Sequence, residues 1–213
     1  MNPLSILSSA KPDSIEVPKL AFLPLMQRRR LSSLGRVVLS TLYPLFDKYG
    51  RGNNSPSSVI LASRWGDIQL TVKALEELSS EKTLSPTGFS TSVHNAIGGL
   101  FSMFAHFTGN ITSMAAGENT IGSALTEAKA QLVEYPLVFV SIYEDKTPEV
   151  FDKYGKIPFP FAVTLVLSNE TDRDCALAWK EHLVAKNVSD APILTQLYEF
   201  LTWLDTERRH EGE

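Results

Sequence analysis

The chain has 213 residues and 43% hydrophobic content, enough to bury one full core, so we expect a single domain over 1–213. Its net charge of −4 at pH 7 argues against a nucleic-acid ligand, which favours a clustered basic excess. Cys175 is the only cysteine, which excludes an internal disulfide and a cysteine-rich metal site. The sequence has neither a secretory signal nor a long apolar run, so we expect a cytoplasmic protein without a membrane span.

The N-terminal part combines an arm with a basic run. Prolines interrupt the apolar clusters of residues 1–26, which predicts an irregular arm or a short strand. Three arginines follow, Arg28, Arg29 and Arg30, ahead of a helix whose apolar residues recur every three or four positions. The arginines fit a solvated helix start. They also fit a docking patch for an acidic partner, because guanidinium groups bind carboxylates and phosphates in a bidentate way.

The rest of the chain alternates between strands and helices, which predicts an α/β fold. Apolar runs predict strands at 58–63, 111–116, 137–143 and 161–167. Helices are predicted after residue 67, from Thr91, at 117–132, at 174–186 and at 191–207. The helix from Thr91 is apolar almost all round, so we expect it to be buried. The connection at 144–160 is typical of a surface flap, and 206–213 is expected to be a flexible tail.

A series of motifs carries a resemblance to a known family. Ser85-Pro86, then Asn95, then Gly109 precede a strand of small residues, a corner and another helix. They resemble the N-terminal half of a β-ketoacyl synthase, a condensing enzyme of the thiolase superfamily. The runs ASRWGD and STSVHNA are similar to the short, chain-length-factor-type subunits of aryl polyene and related type II fatty acid or polyketide systems. The resemblance covers residues 20–170, and SPxxFSxSVHNAxxGL is its most specific part.

This resemblance implies half of a thiolase-like fold. The expected elements are a mixed sheet of about five strands, covering helices, a buried central helix and two extra C-terminal helices. In active condensing enzymes a cysteine begins the helix after the corner and accepts the acyl chain from the carrier protein. Counting from Asn95 through Gly109 places Glu118 at that position, or Gly117 or Asn119 if the register slips by one residue. The family's two catalytic histidines lie in a C-terminal half that has no counterpart here, so the resemblance implies a non-catalytic chain.

The resemblance also implies a partner. In the family, dimers form when the strand before the nucleophile corner pairs across a two-fold axis. The corresponding residues here are Asn110, Ile111, Thr112, Ser113, Met114 and Ala115. The family turn that matches Thr87, Gly88 and Phe89 reaches into the neighbour's acyl tunnel. We therefore expect a chain-length-factor-like subunit that heterodimerises with a full-length β-ketoacyl-ACP synthase, meets acyl carrier protein only indirectly and needs no cofactor.

Two other functions fit parts of the sequence. His94 lies near Ser90 and Ser92, which suggests a serine hydrolase or acyltransferase, although the G-x-S-x-G elbow is absent. Structural hydrogen bonds are instead the expected roles of His94 and Asn95. The basic run favours the second alternative, a carrier-protein docking or scaffold module. No histidine spacing indicates a metal site.

Overall fold

Strands and helices alternate along the part of the chain that the computed structural model describes, which is residues 5–10, 17–52, 56–81, 83–168, 175–187, 189 and 191–210. The strands are β1 Ser5–Ala10, β2 Ser57–Ala62, β3 Asn110–Met114, β4 Leu137–Glu144 and β5 Phe161–Ser168. The helices are α1 Leu25–Arg28, α2 Ser33–Tyr49, α3 Ile68–Glu81, α4 Pro86–Ser92, α5 Ala96–Ala105, α6 Thr120–Gln131, α7 Cys175–Ala185 and α8 Ile193–His210. Short 3₁₀ helices lie at Gly117–Asn119 and Glu149–Tyr154. Among the helices described, none is both long and apolar enough to span a bilayer.

The strands form one mixed sheet in the order β1-β5-β4-β2-β3. β2 pairs in parallel with β3 and β4, whereas β5 is antiparallel to β4 and β1 is antiparallel to β5. The predicted mixed sheet is confirmed. The N-terminal arm at 1–26 is not wholly irregular, because it supplies the edge strand β1. The opposite edge is β3, the strand that leads into the predicted nucleophile corner.

Helices cover both faces of the sheet, which explains why β2, β4 and β5 are buried along almost their whole length. α2 and α5 cover one face, where Phe46 packs edge-on against Phe101 and Phe139 with ring centroids 5.3 and 5.7 Å apart. α6, α7 and α8 cover the other face, where Trp179 and Phe200 pack at 5.1 Å. The two predicted C-terminal helices therefore complete the second helical layer.

The single helix predicted from Thr91 is in fact two helices separated by residues 93–95. The first helix, α4, starts earlier than predicted because Ser85 caps it. The Ser85 hydroxyl accepts the backbone N–H of Gly88 at 3.3 Å. Val93 is extended, with φ −72° and ψ 148°, and this conformation ends α4.

The second helix, α5, is the predicted central helix, and it is buried only on the side that faces the sheet. Gly98 lies so close to the sheet that a Cβ there would be 2.9 Å from Leu61 Cδ1 and 3.0 Å from Ile111 Cγ2. The opposite side of α5 exposes Gly99 and Met103. The expectation of a helix buried all round is therefore met on one face only.

The C-terminal end also differs from the expectation. α8 continues through His210, beyond residue 206, where a flexible tail is predicted. The Thr206 hydroxyl donates to the Thr202 carbonyl at 3.1 Å within this helix. The sequence there contains Glu and Arg, which favour helices. Residues 211–213 lie outside the described part of the chain.

Candidate functional site

Polar residues follow the carboxyl ends of three neighbouring parallel strands. Ser63 and Arg64 come directly after β2, the 3₁₀ helix at Gly117–Asn119 follows β3, and Glu144 ends β4. Because the three strands are parallel neighbours, their carboxyl ends meet at the same edge of the sheet, where α/β folds usually place their sites. The predicted nucleophile corner lies at this edge.

Glu118 connects two elements at the corner. One of its carboxylate oxygens accepts a hydrogen bond from Arg64 Nη1 at 2.7 Å, and the other accepts the backbone N–H of Ile193, the first residue of α8. A carboxylate at a helix N-terminus is stabilised by unpaired N–H groups and by the helix dipole. Gly117 and Asn119 flank Glu118 and are exposed. Glu118 therefore ties the corner to the C-terminal helices.

Arg64 is almost completely buried, and its side chain is 4% exposed. Besides Glu118, it donates to the Tyr154 carbonyl at 2.8 Å, and its guanidinium lies 3.8 Å from the centroid of the Trp65 ring. Trp65 also packs against Phe151 with centroids 5.4 Å apart. The connection predicted as a surface flap is therefore fixed to the corner at this point.

Buried carboxyl groups belong to the same edge of the sheet. Glu144 accepts the Arg64 backbone N–H at 2.6 Å, and burial raises the pKa of Glu144 to about 7. Burial also raises the pKa of Asp145, to about 6, and that of Asp67. Asp67 accepts the Leu70 N–H at 3.4 Å, and Asp145 accepts the Gln69 N–H at 3.3 Å. Below neutral pH this edge therefore carries protonated carboxyl groups.

The side chains that would form a Ser/His catalytic pair donate hydrogen bonds to backbone carbonyls rather than to each other. His94 Nε2 donates to the Ser63 carbonyl at 2.9 Å, which is a structural hydrogen bond across the corner. Ser90 and Ser92 each donate to a carbonyl of their own helix at 3.0 Å. Asn95 is exposed and its side chain makes no capping hydrogen bond to α5, so its structural role stays a prediction.

The strand β3 contains five of the six residues of the predicted interface strand. No other described strand pairs with its outer side. The Met114 carbonyl accepts the Ser63 N–H at 3.1 Å, so the backbone groups of Met114 face β2. Because successive residues of a strand present their N–H and C=O groups to opposite edges, those of Ile111 and Ser113 face away from β2.

The remaining predicted site residues lie apart from the corner. Thr87, Gly88 and Phe89 belong to the short helix α4, in which Phe89 is exposed. Ala115 is exposed just beyond the end of β3. The basic run at 28–30 ends α1 and continues beyond it. Within the described residues, no three His, Cys, Asp or Glu side chains group closely enough to hold a metal ion.

Sequence reasoning assigned no role to Arg64 or Glu144, which are central to the corner. Arg64 lies in the ASRWGD run, whose family resemblance predicts no role for the individual residue. The available signal was position, because each residue is charged and stands at the carboxyl end of a strand that is otherwise apolar.

Comparison with protein families identifies the class to which this fold and corner belong. The family described as the β-ketoacyl synthase N-terminal domain matches residues 7–209. The match spans most of the chain, so the chain belongs to this family.

Solved structures of ketosynthases share the fold. The ketosynthase ApeO in complex with its chain length factor ApeC from Xenorhabdus doucetiae matches at 23% identity and a TM-score of 0.69, over 80% of this chain and 80% of that one. The ishigamide ketosynthase/chain length factor matches at 12% identity and a TM-score of 0.60, over 76% of this chain and 50% of that one. A β-ketoacyl synthase from Burkholderia phymatum STM815 matches at 14% identity and a TM-score of 0.58, over 83% of this chain and 49% of that one. The predicted thiolase-like fold is thereby confirmed. Comparison with curated proteins gave no match.

Proposed function

We propose that this chain is a non-catalytic, chain-length-factor-like subunit that pairs with a full-length β-ketoacyl-ACP synthase. In that complex it stabilises the synthase or shapes its acyl tunnel during polyene- or fatty-acid-type chain elongation. The observation that carries the proposal is the placement of Glu118. A carboxylate stands where the family's cysteine nucleophile is expected, and it is held by Arg64 and the first N–H of α8.

The contacts of Glu118 are unfavourable for acyl transfer. An acyl-accepting cysteine at a helix start depends on a lowered thiol pKa and on free N–H groups that hold the oxyanion. In this chain the carboxylate of Glu118 is paired with Arg64 instead. The only thiol, Cys175, lies at the start of α7 rather than at the corner. We therefore assign the condensation chemistry to the partner.

The sheet edge supports the proposed pairing. The outer side of β3 offers the backbone groups of Ile111 and Ser113, and an open edge of this kind is a template for a strand of another chain. The solved ApeO–ApeC complex joins a ketosynthase to a chain length factor, and this chain covers 80% of the chain that it matches there. The other two solved chains are about twice as long as the part matched. The likeness to one chain of a ketosynthase–chain length factor complex supports the role of a partner subunit.

The proposed arrangement also gives a role to the other predicted site residues. A strand of the synthase pairs with β3, and α4 brings Thr87, Gly88 and Phe89 to the acyl tunnel of the synthase. Acyl carrier protein delivers its chain to the synthase, so this subunit needs no cofactor of its own. The complex acts in the cytoplasm.

Co-expression tests the proposal. The tagged chain, expressed with the ketosynthase encoded beside it, is expected to co-purify as a stable stoichiometric complex. Expressed alone, it should be poorly soluble or self-associated, because β3 and the exposed apolar side chains lack their partner. A well-behaved monomer that leaves the ketosynthase unbound and its activity unchanged would contradict the proposal. Hydrolysis of an activated ester by the purified chain, abolished by His94→Ala, would instead favour the hydrolase alternative.

A further inference from the structure

The connection between β4 and β5 contains a loop, residues 148–155, whose base and tip are held by different groups. At the base, the Thr147 N–H donates to the Ile157 carbonyl at 3.0 Å, and the Ile157 N–H donates to the Thr147 hydroxyl at 2.9 Å. At the tip, the Tyr154 carbonyl accepts a hydrogen bond from Arg64 Nη1 at 2.8 Å. We refer to residues 148–155 as the strap.

The strap contributes little to the hydrophobic core. Its 3₁₀ helix, Glu149–Tyr154, buries none of its residues, and Val150 and Tyr154 are exposed. Trp65 packs on Phe151 and Tyr154 with ring centroids 5.4 and 6.2 Å apart. The strap can therefore leave the corner without opening the core, once Arg64 no longer binds its tip.

Arg64 is incompletely paired although it is buried. Its Nη1 binds Glu118 and the strap, whereas its Nε and Nη2 are buried and have no hydrogen-bond partner among the described residues. Buried N–H groups without a partner cost free energy. A second carboxyl group lies beside the same arginine, because Glu144 accepts its backbone N–H at 2.6 Å and interacts with its side-chain charge. An ionised Glu144 therefore competes with Glu118 for the guanidinium.

We propose that Arg64 exchanges carboxyl partners and that this exchange releases the strap. While Glu144 holds its proton, Arg64 binds Glu118 and the Tyr154 carbonyl. When Glu144 loses the proton to water, the guanidinium turns to the new carboxylate and gives up both of these bonds. Gly155, with φ +104°, adjoins the tip and permits the change of backbone direction. The strap thus covers the corner in a pH-dependent way.

The direction of the pH dependence follows from the surroundings of Glu144. Burial raises its pKa to about 7, and the charge of Glu118 also raises it, whereas Arg64 and the Ser63 hydroxyl lower it. The released arrangement places the guanidinium on the ionised carboxylate, so it favours loss of the proton. By linkage, release of the strap increases as the pH rises through about 7.

Other titratable groups surround the corner and must be separated from Glu144. They lie on β4, on the loop after β2, on the corner itself and between α4 and α5: Tyr143, Asp145, Asp67, Glu118 and His94. Burial raises the pKa of Tyr143 well above its ordinary value, so this phenol stays neutral. His94 reaches Glu144 only through Ser63, whose carbonyl it binds at 2.9 Å.

Hydrogen–deuterium exchange of the intact chain, alone or in its synthase complex, tests the proposal. Phe151 and Gly155 donate their backbone N–H groups within the strap at 2.8 and 3.2 Å, so these amides report on its order. Corrected for the intrinsic exchange rate, their protection is expected to fall about tenfold between about pH 6 and about pH 8. The internal control is the turn after α6, where the Tyr135 N–H donates to the Gln131 carbonyl at 2.8 Å. Its protection should change less than about twofold.

Two variants locate the proton. Glu144→Gln stays uncharged, so E144Q should keep the strap protected at both pH values. Glu118→Gln removes the competing charge, so E118Q should lose strap protection at a lower pH than the wild type, and it keeps the test informative if E144Q does not fold. The matched control is Glu77→Gln, which removes the same charge from an exposed pair with Lys73 and should leave the pH profile unchanged.

Several outcomes would overturn the proposal. These are equal strap protection at both pH values in the wild type, the same loss in E144Q, or an E118Q profile identical to that of the wild type. Loss of the pH dependence in H94Q or D145N, with E144Q still responding, would assign the proton to another group. A fall in protection throughout the chain would be global unfolding rather than release of the strap. Failure of the synthase complex to form would contradict only the proposed function, because exchange is measured on the chain alone as well.

Discussion

Arg64 and Glu118 lie 54 positions apart in sequence and meet at 2.7 Å at the carboxyl edge of the sheet. The two side chains differ sharply in environment, because Arg64 is 4% exposed and Glu118 is 45% exposed. A buried guanidinium thus reaches its counter-charge at the protein surface. The same carboxylate accepts the first N–H of α8, so one residue connects the sheet edge, the corner and the C-terminal helices.

Replacing Glu118 with alanine is expected to lower the free energy of unfolding by about 1–2 kcal/mol, because Arg64 then stays buried without its counter-charge. The loss is smaller than for a fully buried pair, since water screens the exposed carboxylate. Glu118→Gln keeps one acceptor oxygen, which suffices for one of the two hydrogen bonds, and should therefore lose less than alanine. Urea unfolding at a common m-value measures these differences.

The control for this prediction is Glu77→Ala, which removes an exposed pair with Lys73 at 3.9 Å and should cost less than about 0.5 kcal/mol. Equal losses of unfolding free energy in E77A and E118A would show that the Arg64–Glu118 pair stabilises the fold no more than an exposed ion pair. In the synthase complex, E118A is expected to leave product formation unchanged. Loss of all activity with the complex intact would instead make the corner catalytic.

Stability is expected to fall as the pH rises through the range in which Glu144 ionises. Burial raises its pKa from 4.5 to about 7 in the folded chain, whereas in the unfolded chain it ionises near its ordinary value. Between these values the folded chain holds more protons than the unfolded one, so the free energy of unfolding decreases with increasing pH and levels off above pH 7. Denaturation in urea at a series of pH values measures the slope.

The variant Glu144→Gln isolates this contribution. Asp145 and Asp67 have raised pKa values as well, with that of Asp145 at about 6, so their effect overlaps the lower part of the range. Between pH 6 and pH 7.5 the slope should therefore be flatter in E144Q than in the wild type. A slope that is the same in both would mean that Glu144 ionises normally in the folded chain.

The central strands β2, β4 and β5 could be predicted from sequence because they are buried on both faces. Runs such as SSVILA and LVFVSIY lack the alternation of a half-exposed strand, and this composition alone identifies β2 and β4. The break at 93–95 could not be predicted in the same way. It accompanies a contact between His94 and the Ser63 carbonyl, two residues that lie 31 positions apart.

The position of the corner could be predicted from the sequence, but the contacts of its side chains could not. The resemblance led to Glu118, but the sequence gives no sign that its carboxylate meets Arg64 and Ile193. Burial of a charged side chain depends on what surrounds it in space, and residue type predicts the opposite, an exposed position. The raised pKa of Glu144 could not be predicted from the sequence either, because it is caused by burial in the folded chain.

Two adjacent glycines in α5 are expected to respond differently to the same substitution. A Cβ at Gly98 would be 2.9 Å from Leu61 and 3.0 Å from Ile111, whereas a Cβ at Gly99 has no neighbour within 4 Å. Gly99→Ala should stabilise the chain by up to about 1 kcal/mol through helix propensity. Gly98→Ala gains the same propensity but overpacks the core at a cost of about 1–3 kcal/mol. Thermal and urea unfolding should therefore rank G99A above G98A, and the reverse order would contradict the close packing of α5 on the sheet.

A bulky residue at Gly88 tests the proposed role of α4 in the partner's acyl tunnel. Within this chain a Cβ at Gly88 would touch only Ser85, at 3.6 Å, and α4 buries none of its residues. Gly88→Trp should therefore leave folding and complex formation intact. In the complex it should shorten or block the products, as measured by mass spectrometry of the acyl chains. Lys186→Trp, on the opposite helical layer, is the control, and an unchanged product distribution in G88W would exclude a tunnel-lining role.

A pair of proline substitutions tests whether the outer edge of β3 pairs with the partner. Ser113→Pro removes an N–H that faces away from β2, whereas Thr112→Pro removes one that faces β2 and supports the sheet itself. S113P is expected to lose the synthase complex while losing less unfolding free energy than T112P. Co-purification yield and urea unfolding of each variant separate the two effects. Wild-type complex yield in S113P would exclude β3 as the pairing edge, because a proline there cannot donate the hydrogen bond that a partner strand needs.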